Sequence, residues 1–347
     1  MQYFLYLGSV ILIIMGLSMF RNFKVKNPTK NTFSLLIACR NEESNLPALF
    51  ASLLKLDYPA DKFEIIIVDD ASFDESPHLL KNFAENQENI RCFYLPEKDL
   101  HYRGKKAALK KAAEHARFDF LLFTDADCIH QADWIDGYND FIDEGCDLIT
   151  GFYQEQNAAP FRRFSQQFST ALYASTVSLG ISFSAAGSNL CVRRSALERA
   201  GGYEKLKKHT AGDDKLLLQL LTKNGSKIRF NHYDHVFTKA NSNNHENYKR
   251  KFGKAKLSSP TIKLLSGLIF FLYLMLPVHI FLIKDWKSFL IYYLGLVFFW
   301  CCNLIRHRFR IRIHDLFYLL IYPYFVILYT FWGVLGSWVW KGQTATS

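Results

Sequence analysis

The sequence predicts an α/β domain with a mixed, mostly parallel sheet, carrying transmembrane helices on its N-terminal and C-terminal sides. Two observations lead there. Apolar residues crowd at both ends of the 347-residue chain instead of spreading evenly, as one globule would require. Between the ends, from Thr32 onward, short apolar runs alternate with stretches of helical spacing, the signature of strand-helix units on a largely parallel sheet. The expected layout is an anchor over residues 1–21, a cytoplasmic domain over 32–256, and a membrane region over 262–340 with about three helices.

The first apolar run, YFLYLGSVILIIMGLSMF over residues 3–20, carries no charge and approaches the ~20 residues that cross a bilayer as a helix. Arg21, Lys24, Lys26 and Lys30 follow the run rather than precede it, and no A-x-A pattern closes it, so it reads as an uncleaved anchor. Basic residues stay on the cytoplasmic side, which points the N-terminus outward and the next domain inward. Three further candidate spans cover residues 262–283, 288–305 and 315–340. Their connections, KDWK and the Arg-rich RHRFRIRIH, give the same topology: a multi-pass cell-membrane protein with its domain in the cytoplasm. The formal net charge of +10 comes largely from juxtamembrane segments, Lys249 to Lys256 among them, and such clusters attract anionic membrane lipids. No nucleic-acid module accompanies them, so nucleic acid is not an expected partner. Seven cysteines without C-x-x-C spacing argue for reduced thiols rather than a disulfide framework or a zinc site.

Within the middle, FSLLIAC reads as the first buried strand. A helix follows, begun by Asn41 or Ser44, with Leu46, Leu49, Phe50, Leu53 and Leu54 at helical spacing. FEIIIVDD repeats the arrangement, and Asp69 and Asp70 end its strand. IRCFYL is a third strand. GKKAALKKAAEHAR is a helix whose Ala108, Ala112, Ala113 and Ala116 form a narrow small-residue face, and FDFLLFTDADC is a fourth strand ending in acids. Ligands in open α/β sheets bind at the carboxyl ends of strands, so the polar loops share one functional edge.

TDADC sets Asp125 and Asp127 two apart at a strand end, where a bend aims both at one divalent cation. Mg2+ or Mn2+ held by one or two carboxylates, water and substrate phosphates is the usual arrangement for phosphate chemistry. Paired surface acids that are merely solvated are the plainer alternative. Asp69 and Asp70 either cap the next helix or reach a nucleotide's base or ribose. Gly104 and Lys105 suggest a tight turn and a phosphate-facing cation, without the spacing of a Walker loop. Further on, GSNLCVRR gives a polar turn and a short strand, and Asp213 and Asp214 open a helix with Leu216, Leu217, Leu220 and Leu221 on its core face. These two acids are either partners of the helix dipole or, near a metal, a general base. His232, His235 and His245 lack ligand spacing and read as solvent-facing.

Taken in order, RNEE at 40–43, VDDASFDES at 68–76, GKKAAL at 104–109, FTDADC at 123–128, GSNLCVRR at 187–194 and GDDKL at 212–216 resemble family 2 glycosyltransferases. The resemblance covers about residues 32–256. It implies a GT-A fold, a metal cofactor (Mn2+ or Mg2+), and an inverting transfer from a UDP- or GDP-sugar to a lipid-linked or glycan acceptor. By that likeness Arg40, Glu42, Asp70, Lys105 and Asp125 meet the nucleotide sugar, Asp125 and Asp127 hold the metal, and Asp214 is the base with Asp213 beside it. The family's Glu-Asp pair reads Asp213-Asp214 here, one methylene shorter at the first acid. Processive members carry Gln-x-x-Arg-Trp, where this chain has YKRKFGKA; Arg250 and Lys251 are left to meet the diphosphate, with Phe252 at the Trp position. That departure favours transfer of a single sugar. A processive polysaccharide synthase and a non-catalytic nucleotide-sugar binder are the alternatives.

Overall fold

The computed structural model describes residues 2–345 apart from 27, 86, 97–103, 182–183, 207–212, 234–235, 240–243, 254–259, 282, 336–337 and 341–342. Its elements follow in chain order. The first part contains α1 Gln2–Ser18, β1 Phe33–Cys39, α2 Leu46–Leu53, β2 Phe63–Asp69, α3 Ser76–Ala84, β3 Ile90–Tyr94, α4 Lys105–His115, β4 Phe120–Asp125 and β5 Cys128–His130. The middle adds α5 Trp134–Asn139, β6 Leu148–Thr150, β7 Gln154–Gln156, α6 Pro160–Ser178, β8 Leu190–Arg193, α7 Arg194–Arg199, α8 Asp213–Lys223, β9 Ile228–Phe230, β10 Val236–Lys239 and α9 Asn244–Gly253. Three long helices follow, α10 Pro260–Phe281, α11 Trp286–Arg306 and α12 His314–Leu335.

The main sheet has seven strands in the order β3-β2-β1-β4-β8-β6-β9. Strands β3, β2, β1 and β4 are mutually parallel, while β8 runs antiparallel to both β4 and β6. Continuous apolar runs in β1 and β2 are explained by burial on both faces. Successive residues face opposite ways. Leu35 and Ile37 therefore join Leu46, Leu49 and Trp134 on one side, and Leu36, Ile66 and Val68 join Ala108, Ala112 and Leu218 on the other. The alanine face of α4 lets that helix lie close against β1 and β2. In register, Cys39 pairs with Asp69 and Ala38 with Asp125, so three strands end level at one edge. A second sheet, β5-β10-β7, stands beside that edge.

Helix α6 links the sheet domain to the terminal helices. Its Phe164, Ala171, Ala174 and Val177 are buried in a core shared with Met19, Phe299, Trp300, Leu319 and Tyr322. Arg21 and Ser18 tie the end of α1 to the same helix, through the Ser178 carbonyl at 3.2 Å and the Ser175 carbonyl at 3.3 Å.

Several expectations change. Helix α2 starts after Asn45, not at Asn41 or Ser44, because residues 40–45 form a turn that binds the next loop: Asn41 has φ 52° and its amide donates to Ser72 Oγ at 2.9 Å. The last helix ends at Leu335 rather than 340, and Trp338–Trp340 pairs with Gln343–Ala345 instead. Among the described residues two helices, α11 and α12, are long and apolar enough to cross a membrane; α1 and the stretch 266–277 are shorter apolar segments. His232 is buried rather than solvent-facing, with Nδ1 3.1 Å from Nε2 of the equally buried His307. His235 lies outside the described residues, as does the side chain of His245. All seven cysteines are free, and all but Cys92 and Cys301 are buried.

Candidate active site

The loops after β1 and β2 meet through Asp70, which is 6% exposed. Arg40 Nη1 donates to the Asp70 carbonyl at 2.7 Å and lies 3.4 Å from its Oδ2, and the Gly104 amide donates to Oδ1 at 3.3 Å. Burial pushes the Asp70 carboxyl above its ordinary value, while Arg40 and the Gly104 amide pull it back down. Gly104 has φ 85°, a conformation glycine adopts without a Cβ penalty. Asp69 has the plainer role: its carboxylate accepts from Ser72 N at 3.0 Å and Ser72 Oγ at 2.5 Å, shaping the turn. Glu42 also shapes its loop, accepting from Asn45 Nδ2 at 2.7 Å while its amide donates to Ser76 Oγ at 2.9 Å.

Helix α4 carries the next cation. Lys105 Nζ pairs with Asp125 Oδ1 at the end of β4, so Gly104 reaches Asp70 while Lys105 reaches Asp125. Ala126 is buried and Asp127 exposed in the turn to β5. Behind the turn, His130 is buried between Thr124 Oγ1, 2.8 Å from Nε2, and Ser52 Oγ, 3.4 Å from Nδ1. Burial lowers its pKa to about 3, so it stays a neutral strut. Nothing in the sequence singles His130 out beyond its place three residues after Asp127. Among the described residues no group of three His, Cys, Asp or Glu side chains forms a ready cage for a metal. Two carboxylates at one strand end still fit Mg2+ or Mn2+, which accept water and substrate phosphate oxygens for the remaining positions.

At the start of α8, Asp214 lies against Gly187. A Cβ added at Gly187 would come within 3.0 Å of Asp214 Cβ and 3.6 Å of Asp214 Oδ2. The Lys215 amide donates to Asp214 Oδ1 at 2.9 Å. Next to Gly187, the fully buried Asn189 accepts from Trp134 Nε1 at 3.0 Å and Tyr138 Oη at 2.7 Å, and donates to the Phe152 carbonyl at 2.6 Å. The GSN turn thus makes room for Asp214 and fastens β8 to α5. Tyr173 of α6 was not anticipated: burial pushes its phenol up to about 12, and the Asp214 charge adds to the rise. The side chains of Asp213 and Arg250 lie outside the described residues, although their backbones belong to α8 and α9. Lys251 donates to Ser169 Oγ of α6 at 2.9 Å. Phe252 lies against Tyr248 and Phe325, holding α9 on α12.

Comparison with known proteins bears on the family and the fold. Residues 34–201 match the model of the family described as Glycosyl transferase family 2. The beta-monoglucosyldiacylglycerol synthase of Trichormus variabilis is 31% identical over 94 residues, 27% of this chain and 20% of that protein. The poly-beta-1,6-N-acetyl-D-glucosamine synthase of Staphylococcus epidermidis is 31% identical over 96 residues, 28% and 22% of the two chains. The chain therefore spans only about a fifth of the length of these relatives. Among solved structures, the mannosyltransferase PcManGT from Pyrobaculum calidifontis, in complex with GDP-Man and Mn2+, superposes with a TM-score of 0.55 at 15% identity. That superposition covers 95% of this chain and 92% of that one, a likeness of fold. The ordered motifs, the GT-A-like sheet and the family match converge: residues 34–201 belong to the family 2 glycosyltransferases.

Proposed function

We propose that the protein is an inverting, metal-dependent transferase that moves a hexosyl or N-acetylhexosaminyl group from a UDP- or GDP-sugar to a lipid-linked or membrane-adjacent glycan. The observation that carries this reading is the gathering of Arg40, Asp70, Lys105 and Asp125 where β1, β2 and β4 end, with Asp214 seated against Gly187. In it Asp70, fixed by Arg40 and Gly104, accepts hydrogen bonds from the nucleoside, and Glu42 shapes the loop beside it. Lys105 sets a positive charge beside the donor's diphosphate, and Arg250 is a second candidate for that role. Asp214 takes the proton of the acceptor hydroxyl as its oxygen bonds to the anomeric carbon and the bond to the diphosphate oxygen breaks, inverting that carbon. Asp213 supports it. A Mn2+ or Mg2+ ion at Asp125 and Asp127 would offset the charge of the departing nucleoside diphosphate.

The same proposal assigns residues 32–256 to a cytoplasmic catalytic domain, with 1–21 and 262–340 as membrane segments of a multi-pass cell-membrane protein. The lengths and hydropathies of α11 and α12 support it, and relatives named for a glycolipid and for a polysaccharide support an acceptor of either kind. The test is nucleoside-diphosphate release by detergent-purified protein across a panel of UDP- and GDP-sugars, with Mn2+ or Mg2+ and a membrane lipid extract. Metal-dependent release from one donor, lost in Asp127→Ala and Asp214→Asn with nucleotide binding retained in the latter, is the expected result. Near-normal turnover in folded Asp214→Asn removes Asp214 from the role of base.

A further inference from the structure

Among the described residues, several basic groups near the helix ends are held by protein partners. Arg306 Nε donates to the Met19 carbonyl at 2.9 Å, Arg21 to Ser178 as described, Lys24 pairs with Asp140 at 2.6 Å, and Lys30 pairs with Asp136. The segment joining α11 to α12 is built differently. Phe309, 8% exposed, meets Phe152 edge-on with ring centroids 5.7 Å apart, and its amide donates to the Leu304 carbonyl at 2.9 Å. Arg308, beside it, has φ 55°. The segment is therefore fixed at its start. Beyond that point Arg308 and Arg310 are exposed, and Ile311 and Ile313 are 84% and 87% exposed. Among the described residues no carboxylate forms an ion pair with Arg308 or Arg310. Arg312 is half-buried, and its charge acts on Asp315.

Two isoleucines presented almost wholly to water leave unused about the full burial value of an aliphatic side chain each. Isolated exposed aliphatics are ordinary on a surface. Two in a short fixed segment, interleaved with unpaired arginines and lying between the two most membrane-competent helices, form one amphiphilic surface. We propose that residues 308–313 dock onto anionic phospholipid headgroups. Arg308 and Arg310 meet lipid phosphates, for which the planar guanidinium is geometrically suited, and Ile311 and Ile313 enter the boundary between headgroups and acyl chains. The inference rests on the membrane-spanning reading of α11 and α12, which brings their connection to the bilayer surface.

The test uses the full chain in nanodiscs, with an environment-sensitive fluorophore on Ile311→Cys in a background where Cys301 and Cys92 are serine. Retention of phosphatidylglycerol over phosphatidylcholine is measured separately by native mass spectrometry. The expected result is emission quenched by headgroup-level nitroxide lipids and protected from a water-soluble quencher. Phosphatidylglycerol retention should fall about fivefold for each of Arg308→Gln and Arg310→Gln. Full access of the water-soluble quencher in nanodiscs, or unchanged phosphatidylglycerol retention in the double variant, overturns the proposal. Release of the chain from membranes by carbonate without detergent overturns the membrane-spanning reading itself, so the two failures are told apart.

Discussion

Substituting Gly187 by Ala tests the placement of Asp214 without touching either carboxylate. The added methyl would come within 3.0 Å of Asp214 Cβ, whereas ordinary contact begins near 3.4 Å, so the acid must retreat by ~0.4 Å. Gly187 is not in the left-handed region, so Ala strains no backbone there, and α8 itself need not unfold. A misplacement of ~1 Å at a reacting group costs on the order of 100-fold in rate, which scales to roughly fivefold to tenfold here. The loss should fall on kcat, because the nucleotide-side groups Arg40, Asp70 and Lys105 stand on other loops. The assay is nucleoside-diphosphate release with the identified donor, together with nucleotide affinity and melting temperature. An unchanged kcat in a variant that melts normally, or a fall in nucleotide affinity as large as the fall in kcat, refutes the placement of the base.

Three further outcomes are expected. Asn189→Ala leaves the buried donors of Trp134 and Tyr138 and the Phe152 carbonyl without their partner, and should cost about 3 kcal/mol in denaturant unfolding. Acid should destabilise the fold: burial depresses His130 and His307 to about 3 from an ordinary 6.5, so the unfolded chain binds protons first as pH falls. Their stabilisation is complete above the unfolded value and is lost below it, together about 3 kcal/mol between pH ~7.5 and ~5.5 by linkage. His232 is shifted the same way and adds to that loss; melting measured across this range in the wild type and in His307→Gln checks it, the variant showing the shallower slope. Gly333→Ala should separate α9 from α12, since its Cβ would meet the Lys249 carbonyl at 2.4 Å and Gly253 N at 2.6 Å, both backbone atoms. Protease cleavage near residue 250 should then accelerate, and an unchanged pattern would count against this contact.

Local chemistry made much of the site legible before any coordinates. Continuous apolar runs identify β1, β2 and β4 because a strand buried on both faces has no polar alternation to hide it. Polar residues immediately after such runs fall on the carboxyl edge by topology alone, which is why Arg40, Asp70 and Asp125 gather there. What escaped notice depends on distant partners. Asp69 and Asp70 are neighbours of one type and both buried, and only the contacts to Ser72, Arg40 and Gly104 separate the turn-former from the acid held between Arg40 and Gly104. His232 looks solvent-facing until His307, 75 residues later, is brought against it. Strands β5, β7 and β10 are three or four residues long, too short for any period to register. Tyr173 sits on a helix that is only mildly amphipathic in sequence, because α6 is covered from both sides by different parts of the chain.

The departure at YKRKFGKA acquires a physical meaning through α9. In sequence the segment carries neither a Gln nor a Trp. Read as packing, it is a strut. Tyr248 meets Phe325 edge-on at 4.8 Å and Tyr329 at 5.4 Å, Phe252 meets Phe325 at 6.0 Å, and Gly333 lets the two backbones touch. The other side of α9 is fastened to α6 by Lys251 and Ser169, and α6 also presents Tyr173 toward Asp214. Helix α12 is thus connected through packed α9 and α6 to Tyr173, whose phenol feels the Asp214 charge. Phe252 thus holds α9 against α12 in this chain.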